Sequence, residues 1–252
     1  MQPYQRLTGH SKDVSYCAWS PDSSMLLTCS TEPDNLKLWD VSTGTCKHDL
    51  RKHDDQVTSC AWLPDGNHFV SGAMTKSISI LLWNIDGSML HKWSGPRVMD
   101  LAVNREGTLM YAICSEKKIW AYDLTDKTTQ ALWSIQETDP ITSISLTLDD
   151  RYALVNLQTA QELHLWDLEN KVLVHKYVGH NHLRYVLRSC FGGINQRFVV
   201  SGSEDSNVYV WHREHKQLIE VLGGHLQSVS SISWNPVNPN MFASASDDHT
   251  VR

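Results

Sequence analysis

Apolar residues in this chain come in short runs that alternate with polar ones and are separated by turn-forming residues. Val208-Tyr209-Val210-Trp211 alternates with period two, and Ser20-Pro21-Asp22-Ser23, Leu63-Pro64-Asp65-Gly66 and Asn235-Pro236 mark turns whose Pro and Gly set the dihedrals. No segment of useful length has helical period. In the stretch from residue 180, the pattern predicts an inner strand at 185–190, a turn through Phe191-Gly192-Gly193 and Asn195, a return strand at 197–203, a second turn at Glu204-Asp205-Ser206-Asn207, a third strand at 208–211 and an outer strand at 217–222.

This unit repeats. Aromatic residues close successive copies at Trp39, Trp83, Tyr122, Trp166 and Trp211, spaced by 44, 39, 44 and 45 residues, and are followed by Asp40, Asn84, Asp123, Asp167 and His212. Gly9-His10, Gly179-His180 and Gly224-His225 open three units, and Lys52-His53 opens a fourth. Two units have drifted: one carries Ser94-Gly95-Pro96 and the other Glu137-Thr138-Asp139-Pro140 in place of Gly-His. A period near this length, with Gly-His early and Trp-Asp late, is the signature of WD-repeat β-propeller blades. The fold class expected is therefore all-β, a WD-repeat β-propeller in a single domain over 1–252, with six visible units at about 7–44, 50–87, 91–126, 132–170, 175–214 and 218–252. The last unit breaks off mid-strand at Val251-Arg252, and residues 4–8 read as an outer strand that either closes the ring or ends a further blade.

In such a unit the indole N–H of the Trp, a Ser or Thr hydroxyl, a His of the opening loop and an Asp of the second turn satisfy one another. The sets are His180, Ser201, Asp205 and Trp211 in the fifth unit, His225, Ser244 and Asp248 in the sixth, and His10, Thr28 and Trp39 in the first, where Asp34 is one residue out of step. The second unit has His53 but shows Thr75 and Lys76 in place of the acid, so a looser turn is expected.

Composition narrows the function. The 252 residues are 41% hydrophobic and carry a formal charge of -6, with no basic stripe that would track a phosphate backbone. Neither an apolar run long enough to span a membrane nor a charged and apolar leader is present, so nucleic acid and membrane are not expected as partners and the chain is expected to stay where it is made. Six cysteines form no CxxC pair and are expected reduced, with Cys17 and Cys60 as equivalent core positions. Of the 13 histidines, those of the opening loops read as blade fasteners, and His48, His91, His164, His212 and His215 read as exposed strand positions. No ligand spacing gathers a metal site, Ser201-Gly202-Ser203-Glu204-Asp205 lacks the frame of a nucleophile elbow, and no glycine-rich phosphate loop occurs. The reading is of a chain that is not an enzyme, with no catalytic residue, metal, cofactor or small-molecule substrate.

Beyond the repeat, Tyr152-Ala153-Leu154-Val155-Asn156-Leu157, Leu163-His164-Leu165-Trp166-Asp167, Arg188-Ser189-Cys190-Phe191-Gly192-Gly193, Ser201-Gly202-Ser203-Glu204-Asp205, Val208-Tyr209-Val210-Trp211-His212 and Ser233-Trp234-Asn235-Pro236 follow in a distinctive order. From residue 7 to 252 the chain resembles the propeller of the WD-repeat subunit of the GID/CTLH-type E3 ubiquitin ligase. The resemblance implies a non-catalytic scaffold or substrate-recruiting subunit that promotes ubiquitin-dependent degradation in cytoplasm and nucleus, beside CTLH and RING subunits that carry the chemistry. It also implies a seven-bladed parent and LisH and CTLH helical segments ahead of the propeller, neither legible in these residues. The alternatives are a generic WD-repeat adaptor in signalling and a substrate receptor of a cullin-type ligase. The cullin receptor is disfavoured because Trp39-Asp40 and Trp166-Asp167 run into Val41-Ser42 and Leu168-Glu169 instead of Trp-Asp-x-Arg. Partner-binding candidates are the opening-loop and second-turn residues Lys12, Asp13, Asp55, Gln56, Arg97, Arg184, Tyr185, Glu204, Gln227, Ser228 and Asp247, with Arg184 and Tyr185 foremost because interface hot spots favour Arg and Tyr.

Overall fold

In the computed structural model, which describes residues 5–31, 36–126 and 128–252, the chain is all-β. Among the described residues, five four-stranded antiparallel sheets and one two-stranded sheet follow one another along the sequence. They are β1 (Val14–Trp19), β2 (Met25–Ser30), β3 (Leu36–Asp40) and β4 (Thr45–Leu50); β5 (Val57–Trp62), β6 (His68–Ala73), β7 (Ile80–Asn84) and β8 (Met89–Trp93); and β9 (Val98–Val103), β10 (Leu109–Cys114), β11 (Lys118–Asp123) and β12 (Trp133–Gln136). Next come β13 (Ile141–Leu146), β14 (Tyr152–Leu157), β15 (Glu162–Asp167) and β16 (Val172–Val178); β17 (Ser189–Gly192), β18 (Phe198–Gly202), β19 (Val208–His212) and β20 (Leu218–Leu222); and β21 (Val229–Trp234) with β22 (Phe242–Ser246). Within every sheet, neighbours in space are neighbours in sequence, the meander of propeller blades.

The chain divides into two compact units, 1–134 and 135–252. In the first, apolar side chains of successive sheets meet face to face. Leu27, Leu36 and Leu38 pack with Val57, Cys60, Phe69 and Trp83, and Val70, Ile80 and Leu82 pack with Val98, Leu101 and Met110. In the second, Leu154, Leu163, Leu165 and Tyr177 meet Phe191, Val199, Tyr209 and Trp211, and Val200, Val208 and Val210 meet Val229 and Ile232. The period-two alternation of the sequence thus becomes, within each unit, sheets whose apolar faces are covered by a neighbouring sheet.

Three local expectations change. The inner strand read at 185–190 begins only at Ser189, and residues 185–188 are loop. The strand read at 4–8 is not formed over its described residues, 5–8. Cys60 is buried under the first sheet, but Cys17 is exposed, because β1 is the first described strand and, within the first unit, its sheet packs only against the one that follows.

Candidate functional site

The polar residues of the repeat form hydrogen-bond relays, and their geometry shows which histidines are committed to the blades. In the first sheet, Trp39 Nε1–H donates to Thr28 Oγ1 at 2.8 Å, and that hydroxyl lies 2.6 Å from His10 Nε2. Asp34, the acid proposed for this set, lies outside the described residues. In the second sheet, Trp83 Nε1–H donates to Ser71 Oγ at 2.9 Å, Ser71 Oγ lies 2.7 Å from His53 Nε2, and His53 Nδ1 meets the Ile78 carbonyl at 3.0 Å. Because a carbonyl only accepts, Nδ1 carries the proton and Nε2 takes the serine hydroxyl. A main-chain oxygen thus replaces the missing acid, and burial pushes His53 down to about 4, so the ring is neutral. In the last sheet, His225 Nε2 lies 2.8 Å from Ser244 Oγ and its Nδ1 3.0 Å from Asp248 Oδ2. Asp248 also accepts from the Thr250 hydroxyl at 2.6 Å and the Leu226 N–H at 2.9 Å, and these donors, with Thr250 foremost, hold its carboxyl well below the usual range.

The fifth sheet does not form the relay read for His180, Ser201, Asp205 and Trp211. Trp211 Nε1–H donates to the Val178 carbonyl at 3.0 Å, Ser201 donates to the Gly202 carbonyl at 2.9 Å, and Asp205 accepts from the Tyr209 hydroxyl at 2.6 Å. His180 Nε2 turns to Asn156 Oδ1 at 3.3 Å, and its Nδ1 is buried without a partner among the described residues. Two neighbours cause the change. Tyr209 stands on β19 where the first two sheets carry Lys37 and Leu81, and its hydroxyl captures the acid. Asn156 of β14 donates to Ser201 Oγ at 3.3 Å and also receives His182 Nδ1 at 2.8 Å.

His182 is present because the opening loop is longer here. His10, His53 and His225 precede by 7 residues Cys17, Cys60 and Ile232, the partners of Thr28, Ser71 and Ser244, whereas His180 precedes Ser189, the partner of Ser201, by 9. The two extra residues let His182 fold inward and push Leu183, Arg184, Tyr185 and Val186 outward.

The fourth sheet has an arrangement the sequence did not disclose. His164, read as exposed, is buried between two carboxylates, with Nδ1 2.8 Å from Glu137 Oε1 and Nε2 2.8 Å from Glu162 Oε2. Trp166 Nε1–H also donates to Glu137 at 2.5 Å, and Lys176 Nζ pairs with Glu162 at 2.8 Å. Burial alone depresses this imidazole, but the hydrogen bonds to Glu137 and Glu162 outweigh it and leave it above its ordinary value. The signal was present in the residue types: Glu137 replaces the loop histidine, Val155 replaces the hydroxyl residue, and His164 supplies the ring from the third strand.

The interaction candidates occupy the loops that these relays anchor. In the first unit, Lys12, Asp13, Asp55 and Arg97 are exposed and Gln56 is half-buried, with the Gln56 and Arg97 carbonyls accepting from Met74 and Ser115 N–H of the following turns. In the second, Arg184, Tyr185, Gln227 and Asp247 are exposed and Glu204 and Ser228 half-buried, with Asp247 N–H donating to the Ser228 carbonyl. Glu204 Oε1 accepts from the backbone N–H of Leu183, Arg184 and Tyr185 at 2.7, 2.6 and 3.1 Å. Among the described residues, no group of three or more His, Cys, Asp or Glu side chains is arranged to hold a metal ion.

Residues 1–40, 44–84, 171–212 and 216–252 match the family described as WD domain, G-beta repeat, and the two drifted units fall between the matched segments. The chain is 43% identical over 252 residues to the WD repeat-containing protein WDS homolog of Arabidopsis thaliana, covering 98% of this chain and 47% of that protein. It is 42% identical over 250 residues to the WD repeat-containing protein 26 homolog of the same plant, covering 98% and 41%. With GID complex subunit 7 of Schizosaccharomyces pombe it shares 40% identity over 192 residues, 74% of this chain and 37% of that protein. The chain thus spans less than half the length of these relatives.

Proposed function

The chain belongs to the WD domain, G-beta repeat family, and from that premise we propose that it is a non-catalytic protein-interaction scaffold, the substrate-recruiting or assembly propeller of a GID/CTLH-type E3 ubiquitin ligase. The observation that carries this reading is the 40% identity to GID complex subunit 7 over 192 residues. The structure supports it by what it does with reactive side chains. His53, His164 and His225 are consumed in blade relays, whereas the outward loops carry Arg, Tyr and apolar residues suited to protein contact. In this reading the ubiquitin chemistry belongs to RING subunits, and the complex acts in cytoplasm and nucleus. Affinity purification of the tagged protein from its own cells, followed by mass spectrometry, tests it. Recovery of RING- and CTLH-domain subunits is expected, and a purification without them overturns the ligase assignment.

A further inference from the structure

The two-residue extension of the fifth opening loop has a consequence for binding. Leu183, Tyr185 and Val186 are 55%, 49% and 41% exposed, and Arg184 stands exposed among them. Four consecutive residues of this kind on a loose loop would carry a large ordering cost, but this loop is fixed at both ends and in the middle. Asn181 N–H donates to Ser203 Oγ at 2.9 Å, and Glu204 N–H returns to the Asn181 carbonyl at 3.0 Å. His182 is buried beneath, with its Nε2 2.9 Å from the Tyr185 carbonyl, and Gln158 Nε2–H donates to the Leu183 carbonyl at 3.0 Å. Leu187 is fully buried, and Arg188 N–H donates to the Ser230 carbonyl at 2.9 Å on β21. The Glu204 carboxylate spans three successive N–H groups, and although its burial opposes ionisation, those donors hold its carboxyl below the usual range.

This geometry separates the loop's charges. Glu204 is the acid beside the loop, and its hydrogen-bonding Oε1 is spent on the backbone, while the Arg184 guanidinium has no hydrogen-bond or ion-pair partner among the described residues. What faces outward is one cation flanked by two aliphatic side chains and a tyrosine. Because the loop is held before any ligand arrives, its ordering entropy is not lost on binding.

We propose that residues 183–186 form a preorganised docking knob for a protein segment that presents a carboxylate among apolar side chains. The proposal rests on the reading of the chain as a protein-interaction module and adds the place and the chemistry of one contact. The carboxylate pairs with Arg184, for which the fork of the guanidinium suits bidentate bonding. The neighbouring apolar groups cover Leu183, Tyr185 and Val186. A polyanionic partner fits less well, since the whole chain carries a charge of -6 and would repel an extended nucleic acid or an anionic membrane at longer range.

The test is selection from a random-peptide phage library against the full 252-residue chain, with R184E, Y185A and E204A in parallel. The enriched peptides are expected to combine Asp or Glu with Leu, Phe or Trp. Their affinity is expected to fall at least about tenfold for R184E and for Y185A, at unchanged thermal midpoints, as loss of one hot-spot contact does. E204A is expected to raise amide hydrogen exchange at 183–185 and to weaken the same peptides. The proposal is overturned by failure to enrich any peptide, by enriched peptides that are basic or that bind R184E and Y185A equally well, or by phosphatidylserine vesicles engaging the loop in place of peptide. Purification of RING and CTLH subunits is read separately. Peptide binding without those subunits leaves the knob standing and removes the ligase assignment, and the reverse result removes only the knob.

Discussion

A hydroxyl that serves two rings at once is worth more than one that serves none. Ser71 receives the Trp83 N–H at 2.9 Å and lies 2.7 Å from His53 Nε2, all in buried surroundings, so S71A strands two buried polar groups. Each stranded group costs about 1 to 3 kcal/mol, whereas Ser201, which touches neither Trp211 nor His180, leaves only a carbonyl and an amide contact behind. Urea unfolding is therefore expected to find S71A less stable than S201A by about 2 kcal/mol. His164 gives a second residue-scale expectation. Its two nitrogens face Glu137 and Glu162, both acceptors when ionised, and Lys176 from β16 neutralises the second carboxylate. Only the imidazolium can donate to both. Since the folded ring titrates above its ordinary value of 6.5, the stabilisation is complete below that value and is lost as pH rises through the folded one. Unfolding midpoints measured across this alkaline-side window are expected to fall for the wild type and to stay flatter for H164Q.

At the scale of the sheets, what joins one blade to the next is close approach of backbones as much as apolar packing. Gly202 of β18 lies against β21 so tightly that a Cβ there would stand 2.1 Å from the Val229 carbonyl oxygen, and no rotamer change can move a backbone atom. G202A is expected to cost about 3 kcal/mol, the upper end of overpacking in a core. Gly66 is the contrast. It sits in an open turn at φ +67 with nothing within 4 Å, so G66A meets only the left-handed backbone penalty of about 1 kcal/mol. Thermal melts of the two variants should rank accordingly. The same scale explains what the sequence disclosed. The sheets and their turns were legible because Trp39, Trp83, Trp166 and Trp211 recur at near-constant spacing, with Pro or Gly in the turns that precede Trp39, Trp83 and Trp211, and those are local signals. The failed relay of the fifth sheet was not, because its competitors act from elsewhere: Asn156 from the sheet before, Tyr209 from the adjacent strand, and His182 from a loop lengthened by two residues that the Gly-His signature does not register. His164 was misread for a related reason, since alternation with Leu163 and Leu165 marks a face, and only the position of Glu137 and Glu162 shows that the face is buried.

For the molecule as a whole, the six thiols report on integrity without any bound partner. All six cysteines stand outside any disulfide, with Cys17 and Cys46 exposed, Cys29, Cys60 and Cys114 buried, and Cys190 half-buried as a residue. The thiolate is the reacting species, so burial suppresses alkylation both by blocking access and by raising the thiol pKa. Burial pushes Cys114 and Cys190 up to about 12, which leaves almost no thiolate at neutral pH. At Cys46, partial burial is again the main cause of a raised value, so this exposed thiol should react more slowly than it does in the unfolded chain. Alkylation of the native chain followed by mass spectrometry is thus expected to modify the exposed Cys17 and Cys46 first and the other four only through opening of the sheets, while unfolded chain takes six labels at similar rates. Because Cys29, Cys60 and Cys114 lie in the first compact unit and Cys190 in the second, the slow sites measure the two units independently. Each tenfold slowing relative to unfolded chain corresponds to about 1.4 kcal/mol of local opening free energy. A Cys190 that labels as fast as Cys46 would contradict the packing of Cys190 with Val200, Val210 and Trp234, and with it the seating of β21 against the fifth sheet that fixes the base of the 183–186 loop.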